Sequence, residues 1–381
     1  MAQAGFGGAG LVGVRGDGGA AARPEPARVR LIAAPQGQAG GGMGRVTAYL
    51  MQEQARRGDL APMEALESRG PGAAALSAFA VARAAARVAG LALRGRASVL
   101  HLNVAERGSV VRKGALLGVA RLFGVPVVLH LHAAQIVAFH AALPGPARAL
   151  VGLVFRSAQL VVVLGEPWRV WVASLGVPEG RIRVVRNGVP RLSGWRAREA
   201  GAPFRLVFLG NLFWRKGIAD LLAALARLGP GDAPCTLVVA GGGDVAGHEA
   251  LAEGLGIGGR VRFEGWVDQA GAAACLAEAD ALVLPSYDEG LPLVILEALS
   301  LGVPVVCTPV GAIPEVLEDG DTALLVPPGD VAALAGALRR IAGDPALAAR
   351  LSERGRALYE REFTLPVFAE RVAALHAEVG L

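Results

Sequence analysis

The 381-residue chain has only three cysteines, Cys235, Cys275 and Cys307, none close to another in sequence. That excludes a disulfide-stapled secreted scaffold and suits a reducing, cytoplasmic setting. All three sit in apolar contexts and read as core filler. Aromatic residues make up 5% of a chain that is 53% hydrophobic, so the core must be built from Ala, Val and Leu. Lysine is nearly missing: arginine outnumbers it 36 to 2, a genomic bias that singles out Lys113 and Lys216. No stretch qualifies as a membrane span. The longest uncharged one, Leu122 to Ala147, carries three histidines, a glutamine and three prolines,. The Gly/Ala-rich start has no hydrophobic h-region and reads as a disordered tail over 1–27.

Acid is scarce in one half only. Residues 1–200 hold 25 Lys+Arg against 10 Asp+Glu, and residues 201–381 hold 13 against 23. A basic half joined to an acidic half suggests two domains with different partners. The basic half lacks dense Lys/Arg clusters interleaved with aromatics, which argues against nucleic acid. An anionic membrane surface, met from its inner face, or an anionic lipid-linked substrate fits better.

What the chain does have is one dense segment, ALVLPSYDEGLPLVILEALSLGVPVV at 281–306. Ala281 to Leu284 reads as a buried parallel strand. Pro285 ends it, Ser286 to Gly290 form a loop, Pro292 opens a helix, and Gly302 stops it before the next strand. Ligands of open α/β sheets bind at such carboxyl ends. Glu289 in the loop and Glu297 in the helix stand eight residues apart. Between them the amides of Gly290, Leu291 and Leu293 lie at a helix N-terminus that favours an anion. A phosphate flanked by two hydroxyl-binding carboxylates describes a nucleotide sugar. Glu297 lies in too apolar a run to be an idle surface acid.

Upstream, Val29 to Ala33 reads as a strand, Gln36 to Gly44 as a glycine loop, and Arg45 to Arg56 as a helix. The loop is a poor dinucleotide fingerprint, since no acidic residue ends a clear second strand. A strand over Val125 to Leu131 ends in His130-Leu131-His132, which puts both histidines on one face, one buried and one toward the cleft. A zinc site there would need His140 as well and is disfavoured. Residues 190–203 read as a linker, after which the βα pattern restarts. The expected architecture is α/β, with a domain over 28–189, that linker, and a second domain over 204–381.

These residues resemble the retaining glycosyltransferases of family four, two Rossmann-like domains of the GT-B fold facing a central cleft. The matching stretches are LVFLGNLFWRKG (206–217), LVVAGGGD (237–244), VRFEGWV (261–267), the 281–306 segment, TPVGAIPEVLEDG (308–320) and LLVPPGD (324–330). HLNVAERGSVVRKG (101–114) and PVVLHLHAAQ (126–135) look like the subgroup that builds exopolysaccharide and capsule repeat units.

The resemblance implies an acceptor-binding first domain and a donor-binding second, whose last helix can cross back. It implies transfer from a nucleotide-diphosphate sugar to a saccharide or lipid-linked acceptor, with no cofactor and no metal. Glu289 would hold the donor sugar, Glu297 the ribose, and the amides of Gly290, Leu291 and Leu293 the diphosphate. Lys216 would neutralise the departing diphosphate, and His132 would be the cleft histidine. Glu264 and Trp266 would lie near the nucleobase, and Gly41, Gly42 and Asn103 on the acceptor side. The family usually places Arg directly after the glycine at position 210. Here Asn211 follows Gly210, and Arg215 is the nearest spare cation. Two other readings compete: a nucleotide-sugar epimerase of the same fold, for which Glu106 is the obvious acceptor-side acid, and a non-catalytic sugar-nucleotide-binding protein.

Overall fold

The computed structural model describes residues 29–34, 41–58, 62–70, 74–196, 199 and 201–380. The expected tail and residues 36–40 of the glycine loop lie outside them. The first half runs β1 (Val29–Ala34), α1 (Gly41–Arg57), β2 (Met63–Glu67), α2 (Ala74–Ala92), β3 (Ala97–Val104) and α3 (Gly108–Leu122). It continues with β4 (Val127–Leu131), α4 (Ile136–Ala141), α5 (Gly145–Ser157), β5 (Leu160–Val163), α6 (Glu166–Ser174) and β6 (Ile182–Val184).

After residue 203 come β7 (Phe204–Leu209), α7 (Ile218–Ala226), β8 (Cys235–Ala240), α8 (Val245–Gly254), β9 (Val261–Gly265) and α9 (Gln269–Ala277). The chain then forms β10 (Ala281–Leu284), α10 (Leu293–Leu301), β11 (Val305–Cys307) and β12 (Leu324–Leu325). It closes with α11 (Val331–Gly343), α12 (Pro345–Glu362) and α13 (Leu365–Glu378).

Among the described residues these strands make two six-stranded parallel sheets, ordered β2-β1-β3-β4-β5-β6 and β12-β11-β10-β7-β8-β9. Strands such as LVVV in β5 and ALVL in β10 are buried along their whole length, as strands covered by helices on both faces must be,. In each sheet the winding reverses once, at β1/β3 and at β7/β10. The crevice at such a reversal, outside the strands' carboxyl ends, is where this topology takes ligands.

Two expectations need correcting. A second strand does exist and does end in an acid: β2, with sequence MEALE, pairs with β1 and finishes at Glu67. Its glutamates and alanine are weak strand formers, and it holds an edge by pairing with β1 and by burying Leu66 in the core,. The glycine loop is also shorter than expected, because residues 41–44 are the first turn of α1.

The last helix returns to the first half. α13 packs on α1, and His376 at its end is buried against His101 of β3. The two passages of chain between the halves touch one another. Val189 N–H donates to the Phe363 carbonyl at 3.0 Å, and the Tyr359 hydroxyl donates to the Val189 carbonyl at 3.1 Å.

Candidate active site

The site is built around the carboxyl end of β10. Glu289 is 6% exposed, and its Oε1 accepts from Lys216 Nζ at 2.5 Å and from Ser286 Oγ at 2.7 Å. Its other oxygen accepts from no partner among the described residues. The loop carrying Lys216 is pressed against this one: a Cβ at Gly217, whose φ is +69°, would lie 2.0 Å from the Pro285 carbonyl oxygen. Only glycine allows that approach. Arg215 is tied into the same pair of loops. Its carbonyl accepts from Tyr287 N–H at 2.7 Å, and its Nη1 donates to the Asp288 carbonyl at 3.2 Å.

Gly311 performs a similar service on the far side, where a Cβ would meet the Glu289 carbonyl oxygen at 2.0 Å. Next to it, Ala312 N–H donates to the Gly290 carbonyl at 3.0 Å. These clamps hold the segment that enters α10. Pro292 is the residue just before the helix rather than its first, and no side chain caps that end. The N–H groups of Gly290, Leu291 and Leu293 donate to no partner among the described residues. An uncapped N-terminus with free amides is suited to an anion.

Glu297, the fifth residue of α10, is 3% exposed. Burial pushes its carboxyl up from the ordinary range, while Arg45 and Tyr49 pull it back. Both partners come from α1 in the other half: Arg45 Nη2 forms an ion pair with Glu297 Oε1, and the Tyr49 hydroxyl donates to the same oxygen at 3.0 Å. Burial and the neighbouring carboxylate push the Tyr49 phenol up to about 12. A helix-opening arginine after a glycine run was the available signal for Arg45, but nothing in the sequence named its partner.

The acceptor side closes over this end. A Cβ at Gly42 would lie 4.0 Å from Leu293 Cδ1, and one at Gly290 would lie 3.5 Å from Leu164 Cδ1. Gly41 is exposed, with φ +51°. His132 Nε2 contacts Asn103 Oδ1 at 3.2 Å, and Asn103 Nδ2 donates to Thr47 Oγ1 at 2.9 Å. Thr47 in turn donates to the Met43 carbonyl at 3.0 Å. The threonine orients the amide, and the amide oxygen selects the Nε2–H tautomer of His132. Burial holds that imidazole neutral, down at about 3.

Behind it lie His130, His101 and His376, joined by contacts of 3.2 and 2.9 Å. His130 is the buried member of its pair and His132, just past the end of β4, the partly exposed one, matching the expectation of one buried histidine and one toward the cleft. His140 instead meets Trp171 edge-on, ring centroids 5.6 Å apart.

The remaining predicted donor residues sit at the carboxyl ends of β7, β8 and β9. Lys216 Cε would lie 3.7 Å from a Cβ at Gly210, so the lysine stem crosses that glycine. Asn211 is exposed, its Oδ1 3.7 Å from where a Cβ at Gly242 would be, and the same position is 3.6 Å from Trp266 Cδ1. Trp266 is 56% exposed, and Glu264 pairs with Arg262 at 2.7 Å on the sheet edge.

Two parallel-sheet halves facing across a crevice, with a free helix N-terminus between two buried carboxylates, define a GT-B chain of the glycosyltransferase type. The structural likeness agrees. Sucrose-phosphate synthase from Thermosynechococcus elongatus superposes with a TM-score of 0.73 at 22% identity, over 93% of this chain and 99% of that one. HepE from Anabaena, solved in complex with UDP-glucose, gives 0.71 at 17% identity over 92% and 99%. Residues 203–344 match the glycosyl transferases group 1 family. Among named relatives, glycogen synthase of Mycobacterium tuberculosis is 30% identical over 68% of this chain, which spans 65% of that enzyme's length. The lipopolysaccharide core biosynthesis glycosyltransferase LpsE of Rhizobium meliloti is 39% identical over 41% of this chain and 44% of its own.

Proposed function

We propose that this chain transfers a sugar, with retention and without a metal, from a nucleotide-diphosphate sugar to a saccharide or lipid-linked acceptor in bacterial surface polysaccharide synthesis. The observation that carries the reading is the Lys216–Glu289 pair beside the free amides of α10, with buried Glu297 one helix turn and more beyond. Breaking a sugar–phosphate bond leaves negative charge on the diphosphate and positive charge on the anomeric carbon. A cation and a preorganised helix end stabilise the first without needing to reorganise. The unused oxygen of Glu289 is free to accept from a sugar hydroxyl, and Glu297 from the ribose.

In the proposed step the anomeric carbon loses its phosphate oxygen and gains the acceptor oxygen on the same face. The acceptor proton passes to the leaving diphosphate, so no side chain need change its protonation. Catalysis is then positioning plus electrostatic stabilisation. Relatives named for polysaccharide assembly, such as the amylovoran glycosyltransferase AmsK of Erwinia amylovora, support the pathway class. The test is thermal stabilisation of the full chain by UDP-, GDP- and ADP-sugars, followed by turnover with and without EDTA and the product anomer by NMR. Stabilisation by one nucleotide class and EDTA-resistant retention are expected. No stabilisation by any of them overturns the reading.

A further inference from the structure

Away from the crevice floor, α3 and α5 enclose a trench of about 730 Å³. Val110, Val111, Leu117, Phe139, Leu150 and Leu153 are among its walls, and Val111, Leu150 and Leu153 are 68%, 56% and 53% exposed. The helices touch at Gly114, where a Cβ would lie 3.0 Å from Val154 Cγ2, while at Gly118 a Cβ would meet nothing within 4 Å. Contiguous exposed apolar surface of this kind marks a binding surface.

The only polar side chains in the lining are Arg107, Arg121 and Ser157. Arg107 stands at the α3 end nearest the crevice, four residues beyond Asn103, and Arg121 at the opposite end. Arg107 is the one non-glycine residue with positive φ among the described residues, at 60°, and its guanidinium has no partner among them. Such backbone outliers concentrate at ligand clamps. From Arg107 to Gly165 the sequence has six Lys or Arg and no Asp or Glu. A peptide in the trench would bury a donor and an acceptor per residue against apolar walls. A hydrocarbon chain would bury neither, and a lining with an arginine at each end and no acidic side chain complements an anionic head.

We infer that this trench seats the hydrocarbon chain of a phosphate-bearing lipid, the acceptor substrate, with its phosphate at Arg107 and its head directed to the crevice. The inference rests on the glycosyltransferase reading above. The probe is farnesyl phosphate, with farnesol and inorganic phosphate as controls, titrated against the full chain, Gly118→Leu and Arg107→Ala by thermal shift. UDP is added separately. Leucine fits the open space at position 118 and favours the helix over glycine.

Farnesyl phosphate should stabilise the parent chain at least tenfold more tightly than farnesol, and inorganic phosphate should not. Gly118→Leu should weaken farnesyl phosphate at least tenfold while keeping its response to UDP. Arg107→Ala should erase the preference for farnesyl phosphate over farnesol. Equal binding by the parent and Gly118→Leu overturns the proposal. So does binding to phosphatidylglycerol vesicles, unchanged by Gly118→Leu, without response to farnesyl phosphate: that makes the face a membrane-docking patch. A trench that behaves as expected in a chain unresponsive to every nucleotide sugar would count against the transferase reading alone.

Discussion

Arg45 in the first helix of one half forms an ion pair with Glu297, a 3%-exposed carboxylate in the central helix of the other. The acid proposed to hold the ribose is therefore already held, by a side chain that a donor must displace or share. Ribose hydroxyls donate more strongly to the ionised carboxylate than to its protonated form. Burial raises the pKa of Glu297 and Arg45 lowers it, so donor binding should fall as pH drops through that raised value,. Removing the arginine should move this acidic limb to higher pH. Calorimetric titration of UDP from pH 5 to 8 on the parent and Arg45→Ala checks it, and identical limbs would separate Arg45 from the carboxylate.

Glu297→Ala should leave the chain folded and weaken donor use. The loss of a charged hydrogen bond is worth roughly 1.5–3 kcal/mol, about tenfold or more in affinity. Donor KM and kcat measured beside the melting temperature decide this. Unchanged kinetics would remove Glu297 from the site.

Charge on the departing diphosphate leads to a third expectation. Lys216→Ala should lower kcat by on the order of 2–4 kcal/mol in barrier, the size of one lost preorganised donor. Arg215→Ala should cost a similar amount, because its guanidinium lies on the Asp288 carbonyl beside the Lys216–Glu289 pair. Asn211→Arg should partly restore the Arg215→Ala enzyme. Wild-type turnover by Arg215→Ala would leave Lys216 and the helix as the whole clamp.

The buried histidines make acid stability measurable. Burial lowers His101 to about 4 and His132 to about 3, and holds His130 and His376 well below the ordinary value. Below about pH 6.5 the unfolded chain binds protons that the folded chain refuses. Stability should therefore be full above that pH and decline as pH falls through it toward the folded values. His376→Leu should reduce the proton uptake on unfolding at pH 5 by about one. Melting temperature against pH for both chains gives the slope, and parallel slopes would refute the assignment.

The segment from Ala281 to Gly302 was legible because every signal in it is local: a four-residue apolar strand, a proline, a loop acid, a helix and its glycine stop. The shared face of His130 and His132 was legible for the same reason, since strand alternation acts between neighbours; which of the two is buried is decided by where the strand ends, after Leu131,. Arg45 and Tyr49 escaped because their partner lies 252 and 248 residues away. No periodicity encodes which side chain crosses a crevice. The strand β2 escaped for the opposite reason: MEALE has weak strand propensity, and pairing with β1 overrides it,.

The paired crossings at Val189 and Phe363 carry a mechanical consequence. Two lengths of chain lying side by side, stitched by Val189 N–H to the Phe363 carbonyl at 3.0 Å, act as a hinge pin rather than a ball joint. Gly188 keeps them close, since a Cβ there would meet Phe368 Cβ at 2.5 Å. The halves can open like a book along that spine, but twisting about one another would tear the stitch. A chain cut before Phe363 would lose the spine and swivel on one thread.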